Sequence, residues 1–159
     1  MNTRILIGLF AAFVLLMSAC KEKQYLVGYY TYEDYQKVCK WEDFVDKEYK
    51  PKTKWMDSLR TVTDRPDLDV KLFLGSYCPD SKKWVPRFYG LKDQLPIADV
   101  EIISVDTTKK DEKGLWKAVK LEKIPTFIFY SDGKEVGRIV EKPKGRLEKH
   151  LFRLLKNGE

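Results

Sequence analysis

Apolar positions bunch most tightly between Val70 and Phe88. Val70, Leu72, Phe73 and Leu74 make a run with the length and side-chain type of a buried strand. Gly75 and Ser76 end that run, and Tyr77 and Cys78 follow. Pro79 suits the first position of a helix, where a missing N–H costs nothing, and Asp80 and Ser81 favour a first turn. Trp84, Val85 and Phe88 continue at helical spacing, so a helix is expected to about Leu95, where Pro96 breaks it. Cys78 is thereby expected at a strand-to-helix turn. That is the positive end of a helix dipole, which favours a thiolate.

The same patterns divide the rest of the chain. Val38, Trp41, Phe44, Val45 and Tyr49 recur at helical spacing and predict a helix from Tyr32 to about Tyr49. Pro51 interrupts it, and Trp55, Met56 and Leu59 predict a second helix from Lys52 to about Val62. Residues 29–69 are thus either a helical N-terminal extension or the fold's own first helix. Val100 to Asp106 reads as a buried strand, Thr107 to Gly114 as a charged loop and Leu115 to Leu121 as a short helix. Pro125–Tyr130 and Glu135–Glu141 form a hairpin turned at Asp132-Gly133. A last helix, Gly145 to Lys156, carries Leu147, Leu151, Leu154 and Leu155 on one face, with His150 beside that stripe as a structural or surface residue. Strand, helix, strand, helix, hairpin, helix is an α/β pattern on one mixed sheet, its first crossover parallel and right-handed.

The start of the chain changes the picture. Arg4 and the apolar run from Ile5 to Met17 form an export signal, too short to span a bilayer comfortably. The end of that run, LLMSAC, resembles a bacterial lipoprotein processing box, with Met17 where Leu is commoner. The resemblance implies that residues 1–19 are a signal peptide and that Cys20 is lipidated. Residues 20–28 then act as a tether from a membrane in a bacterial cell envelope, facing the periplasm or the exterior. The net charge of +6 would fall to +5 with the loss of Arg4. Lysines alternate with Asp and Glu throughout, which reads as a solvated surface and not a nucleic-acid footprint. With Cys20 taken by lipid, Cys39 and Cys78 remain in an oxidising compartment. His150 is the one histidine and no Cys/His cluster is closely spaced, so neither a metal site nor another cofactor is expected.

A strand ending at a cysteine, a helix from it, a later Ile124-Pro125-Thr126 before a hairpin and a closing helix together resemble the thioredoxin family from Val70 to Glu159. The resemblance implies a three-layer α/β/α domain over 70–159. It makes Cys78 the attacking thiol and gives Tyr77 the place usually held by Trp. Pro86 becomes the helix-kinking proline, and Pro125 a cis-proline beside the cysteine that binds substrate backbone. Tyr77, Pro79, Asp80, Ile124 and Pro125 are the implied substrate-contacting positions. The departures are equally specific. The family's second cysteine is Ser81, and its buried Asp and partner Lys are Leu72 and Ile102. Ser81 has no thiolate to expel a bound partner, although its hydroxyl could hydrogen-bond Cys78.

Two functions fit. One is a single-cysteine thiol-disulfide oxidoreductase that isomerises or reduces the disulfides of envelope proteins. The other is an inert binding module on the same scaffold. Asp80 would oppose a neighbouring thiolate and Lys82 and Lys83 would offset it, leaving the balance open. Cys39 is either a buried small hydrophobe or a distant partner for Cys78.

Overall fold

The computed structural model describes residues 25–41, 48–97 and 100–158. The expected signal peptide, residues 1–19, and Cys20 lie outside the described residues.

Five strands form one mixed sheet, in the spatial order β1 (Gly28–Tyr30), β3 (Val100–Ser104), β2 (Leu68–Leu74), β4 (Thr126–Ser131) and β5 (Lys134–Val140). The central strand β2 (Leu68–Leu74) runs parallel to β3 (Val100–Ser104) and antiparallel to β4 (Thr126–Ser131). β4 turns into β5 (Lys134–Val140) through Asp132 and Gly133, at φ 49° and 71°, the left-handed pair an Asp-Gly hairpin turn adopts. Strand periodicity then sorts the side chains. Leu68, Val70, Leu72 and Leu74 join the larger core cluster, while Phe73 joins a smaller one with Ile103 and Ile128.

Four helices supply the larger cluster: α1 (Tyr32–Cys39) through Tyr35, α2 (Thr53–Thr63) through Met56 and Leu59, α3 (Pro79–Lys92) through Val85, Phe88 and Leu91, and α5 (Leu147–Asn157) through Leu147, Leu151 and Leu154. The smaller cluster is closed by the one-turn helix α4 (Leu115–Ala118) and the segment up to Ile124. Helices therefore flank both faces of a mixed sheet. This is the thioredoxin-like three-layer arrangement.

The N-terminal part departs from the periodicity. Gly28–Tyr30 form β1, a strand pairing antiparallel with β3 at the sheet edge, where a tether was expected to end. The helix expected from Tyr32 to Tyr49 stops as α1 (Tyr32–Cys39), because Lys40 turns left-handed (φ 51°) and its N–H closes on the Gln36 carbonyl. Of the expected apolar stripe, Trp41 is fully buried and meets the equally buried Tyr35 edge-to-face at 4.9 Å, but Val38 is 59% exposed. Phe44 and Val45 lie outside the described residues. α2 is the fold's own helix, since its apolar side sits in the central core and packs on α5. α5 begins at Leu147 because Gly145 is left-handed (φ 86°) and Arg146 is an extended cap.

One buried carboxylate ties these parts together. Glu148, in the first turn of α5, accepts from the Tyr49 hydroxyl at 2.6 Å, the Lys52 N–H at 3.1 Å and the Arg146 guanidinium. Burial alone would raise its carboxyl, but Tyr49, Arg146 and the main-chain donors hold it below the ordinary glutamate value. A depressed folded-state value means stability present above the unfolded value and lost as pH falls through the folded one. Glu148→Gln should therefore destabilise the protein by about 2 kcal/mol at neutral pH. Denaturant titrations should show that deficit closing as the pH drops below the ordinary glutamate range; a pH-independent deficit would show that the charge plays no part.

Candidate functional site

The site forms where β2 ends. Gly75 leaves the strand, its carbonyl accepts the Cys78 N–H at 3.0 Å, and Cys78 becomes the extended N-cap of α3. Position 75 is crowded: a Cβ there would stand 2.8 Å from both Ile124 Cδ1 and the Tyr77 ring, and both would have to shift. Pro79 occupies the first helical position, as its fixed φ favours.

The half-buried Cys78 sulfur has two polar neighbours. The Ser81 main-chain N–H points to Sγ at 3.5 Å, in the role that an Asp or Ser oxygen plays at an ordinary N-cap. On the other side Sγ lies 3.5 Å from the Ile124 carbonyl, which accepts from the thiol. The helix N-terminus therefore offers the sulfur a donor that suits a thiolate, and the Ile124 carbonyl suits the protonated form. The Ile124–Pro125 bond is cis, as the resemblance implies.

Ser81 sits differently from the expectation that its hydroxyl would serve the thiolate. Its side chain is fully buried, and its Oγ accepts from the Gly75 N–H at 3.4 Å. The reason is geometric: the N-cap arrangement aims the main-chain N–H of the third residue at Sγ, which turns the side chain toward the end of β2. Leu72 and Ile102 stand opposite each other in register and are both buried. The place of a proton relay is filled by hydrocarbon.

Tyr77 is anchored at both ends. Its hydroxyl donates to the Asp106 carbonyl, and its ring meets Tyr25 edge-to-face at 5.0 Å. Burial, with Cys78 and Asp106 nearby, pushes its phenol up to about 12, so it is a neutral donor at physiological pH. Asp80 is half-exposed on the first turn of α3, and Pro79 is exposed.

Three features carried no local sequence signal. Tyr25 packs on Tyr77 from the segment read as tether. The Leu26 N–H reaches Ser76 Oγ at 3.4 Å, and Ser104 Oγ donates to the Leu26 carbonyl at 2.7 Å. On the far side of Pro125, Lys123 pairs with Glu141 at 2.8 Å, and the Glu141 N–H, at a left-handed φ of 64°, donates to the Pro125 carbonyl at 2.7 Å. Only the Gly75 requirement could have been suspected, from a glycine between a strand and a cysteine.

Cys39 ends α1 and is partly buried; its thiol is pushed up by burial, against the smaller opposing influence of the Tyr35 hydroxyl and Lys82. Both described cysteines are free thiols. His150 Nδ1 accepts the Lys144 N–H at 3.0 Å, a structural contact. Among the described residues no three His, Cys, Asp or Glu side chains gather as metal ligands. A cavity of about 400 Å3 beside Val70, Lys71, Val119 and Tyr130 lies toward the opposite end of β2 and does not include Cys78.

Comparison with known proteins agrees with this geometry. The family model described as Thioredoxin matches residues 53–155, which takes in α2 as well as the segment from Val70. Thioredoxin H2-1 of Oryza sativa subsp. japonica is 32% identical over 100 residues, covering 63% of this chain and 70% of that protein. Protein disulfide-isomerase A5 of Bos taurus is 27% identical over 107 residues, 65% of this chain but 20% of the relative. Among solved structures, Fasciola hepatica thioredoxin superposes with a TM-score of 0.42 at 24% identity, covering 65% of this chain and 89% of that one. In general terms the chain is a thiol-disulfide oxidoreductase, and it belongs to the thioredoxin family.

Proposed function

We propose that this protein is a single-cysteine member of its family, anchored to a membrane of the bacterial cell envelope through lipid on Cys20. Cys78 exchanges with disulfides of envelope proteins. The observation that carries the reading is the Cys78 sulfur at the N-cap of α3, within reach of the Ser81 N–H, with a serine in place of the second thiol. Cys39 does not compete for the first attack, because burial favours its protonated form.

The chemistry runs in two exchanges. The Cys78 thiolate attacks one sulfur of a substrate disulfide; a Cys78–substrate disulfide forms and the other substrate sulfur leaves as a thiolate. A second thiolate then attacks the substrate sulfur and returns Cys78 to its thiolate. When that second thiol belongs to the substrate, the disulfide is rearranged with no net electron transfer. When it is a separate small thiol or protein thiol, that thiol becomes the new disulfide partner, and reduction is complete only when a further thiol displaces it. In this mechanism Tyr77, Pro79, Asp80, Ile124 and Pro125 border the path of the incoming chain.

Mixed disulfides should accordingly outlive those of a dithiol relative. Non-reducing gels of the protein from its own envelope should show adducts that vanish with reductant. Cys78→Ser should abolish them and Ser81→Ala should leave them largely intact. Ser81→Cys should shorten their lifetime, incompletely, because Leu72 supplies no carboxylate to assist the new thiol. Identical patterns for wild type and Cys78→Ser would leave only the inert binding module.

Anchoring is tested separately. Cys20→Ser should give a protein that is either released to the soluble fraction or retained unprocessed. A normally cleaved Cys20→Ser protein still fully in the membrane fraction would remove the lipid from the reading.

A further inference from the structure

The segment from Asp106 to Lys120 packs through Leu115, Trp116 and Val119 on the same apolar cluster as Cys78. Two of its three acids, Asp106 and Asp111, are tied down by the backbone, while Glu112 is exposed beside Gly28. The Asp106 carboxylate accepts from the Thr108 N–H and hydroxyl and the Lys110 N–H. Asp111 is buried and accepts from the N–H groups of Lys113, Leu115 and Trp116. The lysines face outward. Lys109, Lys110, Lys113, Lys117 and Lys120 enter no ion pair among the described residues, and all but the half-buried Lys109 are exposed.

Three further observations bear on what this surface could do. Lys110 and Lys117 hold their ammonium groups 6.0 and 5.3 Å from the ring of the half-buried Trp116. Trp116 and Cys78 pack on the rim of the same apolar cluster, and Tyr77 is bonded to the first residue of the loop, Asp106. Lys109 and Lys120 stand at left-handed φ of 64° and 52°, where a glycine would be free and a lysine is strained by about 1 kcal/mol. Long cationic side chains thus occupy positions that the backbone alone would give to glycine.

We propose that this loop docks an acidic segment of the disulfide-bearing protein partner, with Trp116 as its apolar anchor, and so selects which disulfides reach Cys78. The inference rests on Cys78 being the reacting thiol. Its physical basis is complementarity: a surface on which five lysines outnumber one exposed acid, Glu112, and whose Trp116 shares an apolar cluster with Cys78, raises the encounter rate of oppositely charged chains and disfavours like-charged ones.

The test uses the protein with Cys20 and Cys39 changed to Ser, so that Cys78 is the one thiol. It is offered two peptides carrying the same cysteine as a neutral pyridyl disulfide, one flanked by Asp and Glu, the other by Lys. Cys78 attacks the peptide sulfur, the Cys78–peptide disulfide forms, and pyridinethiolate leaves, takes up a proton and is read by absorbance. The acidic peptide should react about tenfold faster at low salt, and the preference should shrink to about twofold at high ionic strength. Lys110→Glu/Lys117→Glu should abolish or reverse it. Lys134→Glu/Lys156→Glu, with the same change in net charge, should not.

A small neutral pyridyl disulfide separates the two readings. If Cys78 fails with that probe, the proposed function falls. Docking is then read directly, as a loss of at least about fivefold in affinity of Cys78→Ser for a disulfide-free acidic peptide on adding Lys110→Glu/Lys117→Glu. Equal rates for the two peptides, or a preference indifferent to Lys110 and Lys117, would overturn the docking surface. So would binding of phosphatidylglycerol vesicles through the same lysines without any preference among peptides, which would make the surface a membrane contact.

Discussion

Gly75 has no side chain, and the space this leaves is filled from two directions. Ile124 Cδ1 enters it from the segment before β4, and the Tyr77 ring folds back into it from the start of the active turn. That contact joins segments about fifty residues apart. It brings the Ile124 carbonyl to the Cys78 sulfur and leaves Cys78 free to cap α3. A methyl group at 75 would have to push both of these side chains aside, in a region that is close-packed on both faces of β2. The site is thus a by-product of packing: the thiol is placed by what its neighbours can and cannot approach.

The loss of the second thiol is accommodated with the same economy. Ser81 keeps its main-chain N–H on Sγ while its hydroxyl accepts from Gly75, so the serine closes the turn from inside. Leu72 and Ile102 fill the adjacent strand positions with hydrocarbon. An ionised side chain buried there would need a partner or a water path, and without a second cysteine it would have no proton to accept. The apolar pair and the serine are therefore mutually consistent: each would be unfavourable beside the other's dithiol counterpart.

The strand–cysteine–helix unit and the Asp-Gly hairpin were legible in the sequence because their signals are local. A short β-leaning run, a proline at N1 and a turn dipeptide each act within a few residues. The start of the chain was less legible for the opposite reason. Three residues, Gly28–Tyr30, become a strand only because β3 offers them an edge, and a three-residue strand has no periodicity to detect. Val38 and Trp41 fit one apolar stripe of a continuous helix, but the helix ends at Cys39 and Lys40 turns left-handed, so Trp41 is buried while Val38 is left exposed. In the candidate site, Cys78, Ile124 and Pro125 were recognisable by order along the chain. The hydroxyl of Ser81 was misjudged because capping geometry, not residue type, decides which of its groups meets the sulfur.

The edge strand gives the N-terminal segment a mechanical part in the site. Leu26 is bonded through its N–H to Ser76 and through its carbonyl to Ser104, whose hydroxyl also meets the buried Tyr35 at 3.1 Å. One residue earlier, Tyr25 lies against Tyr77. Among the described residues, contact with the reactive turn is made as early as Tyr25, five residues after Cys20. At about 3.6 Å per residue, five residues reach no more than about 18 Å. A lipid on Cys20 would hold the Tyr25–Tyr77 side of the domain within that distance of the bilayer surface. The disulfides that Cys78 meets most often would then be those presented close to the membrane, a restriction imposed by chain length and independent of any contact within the site.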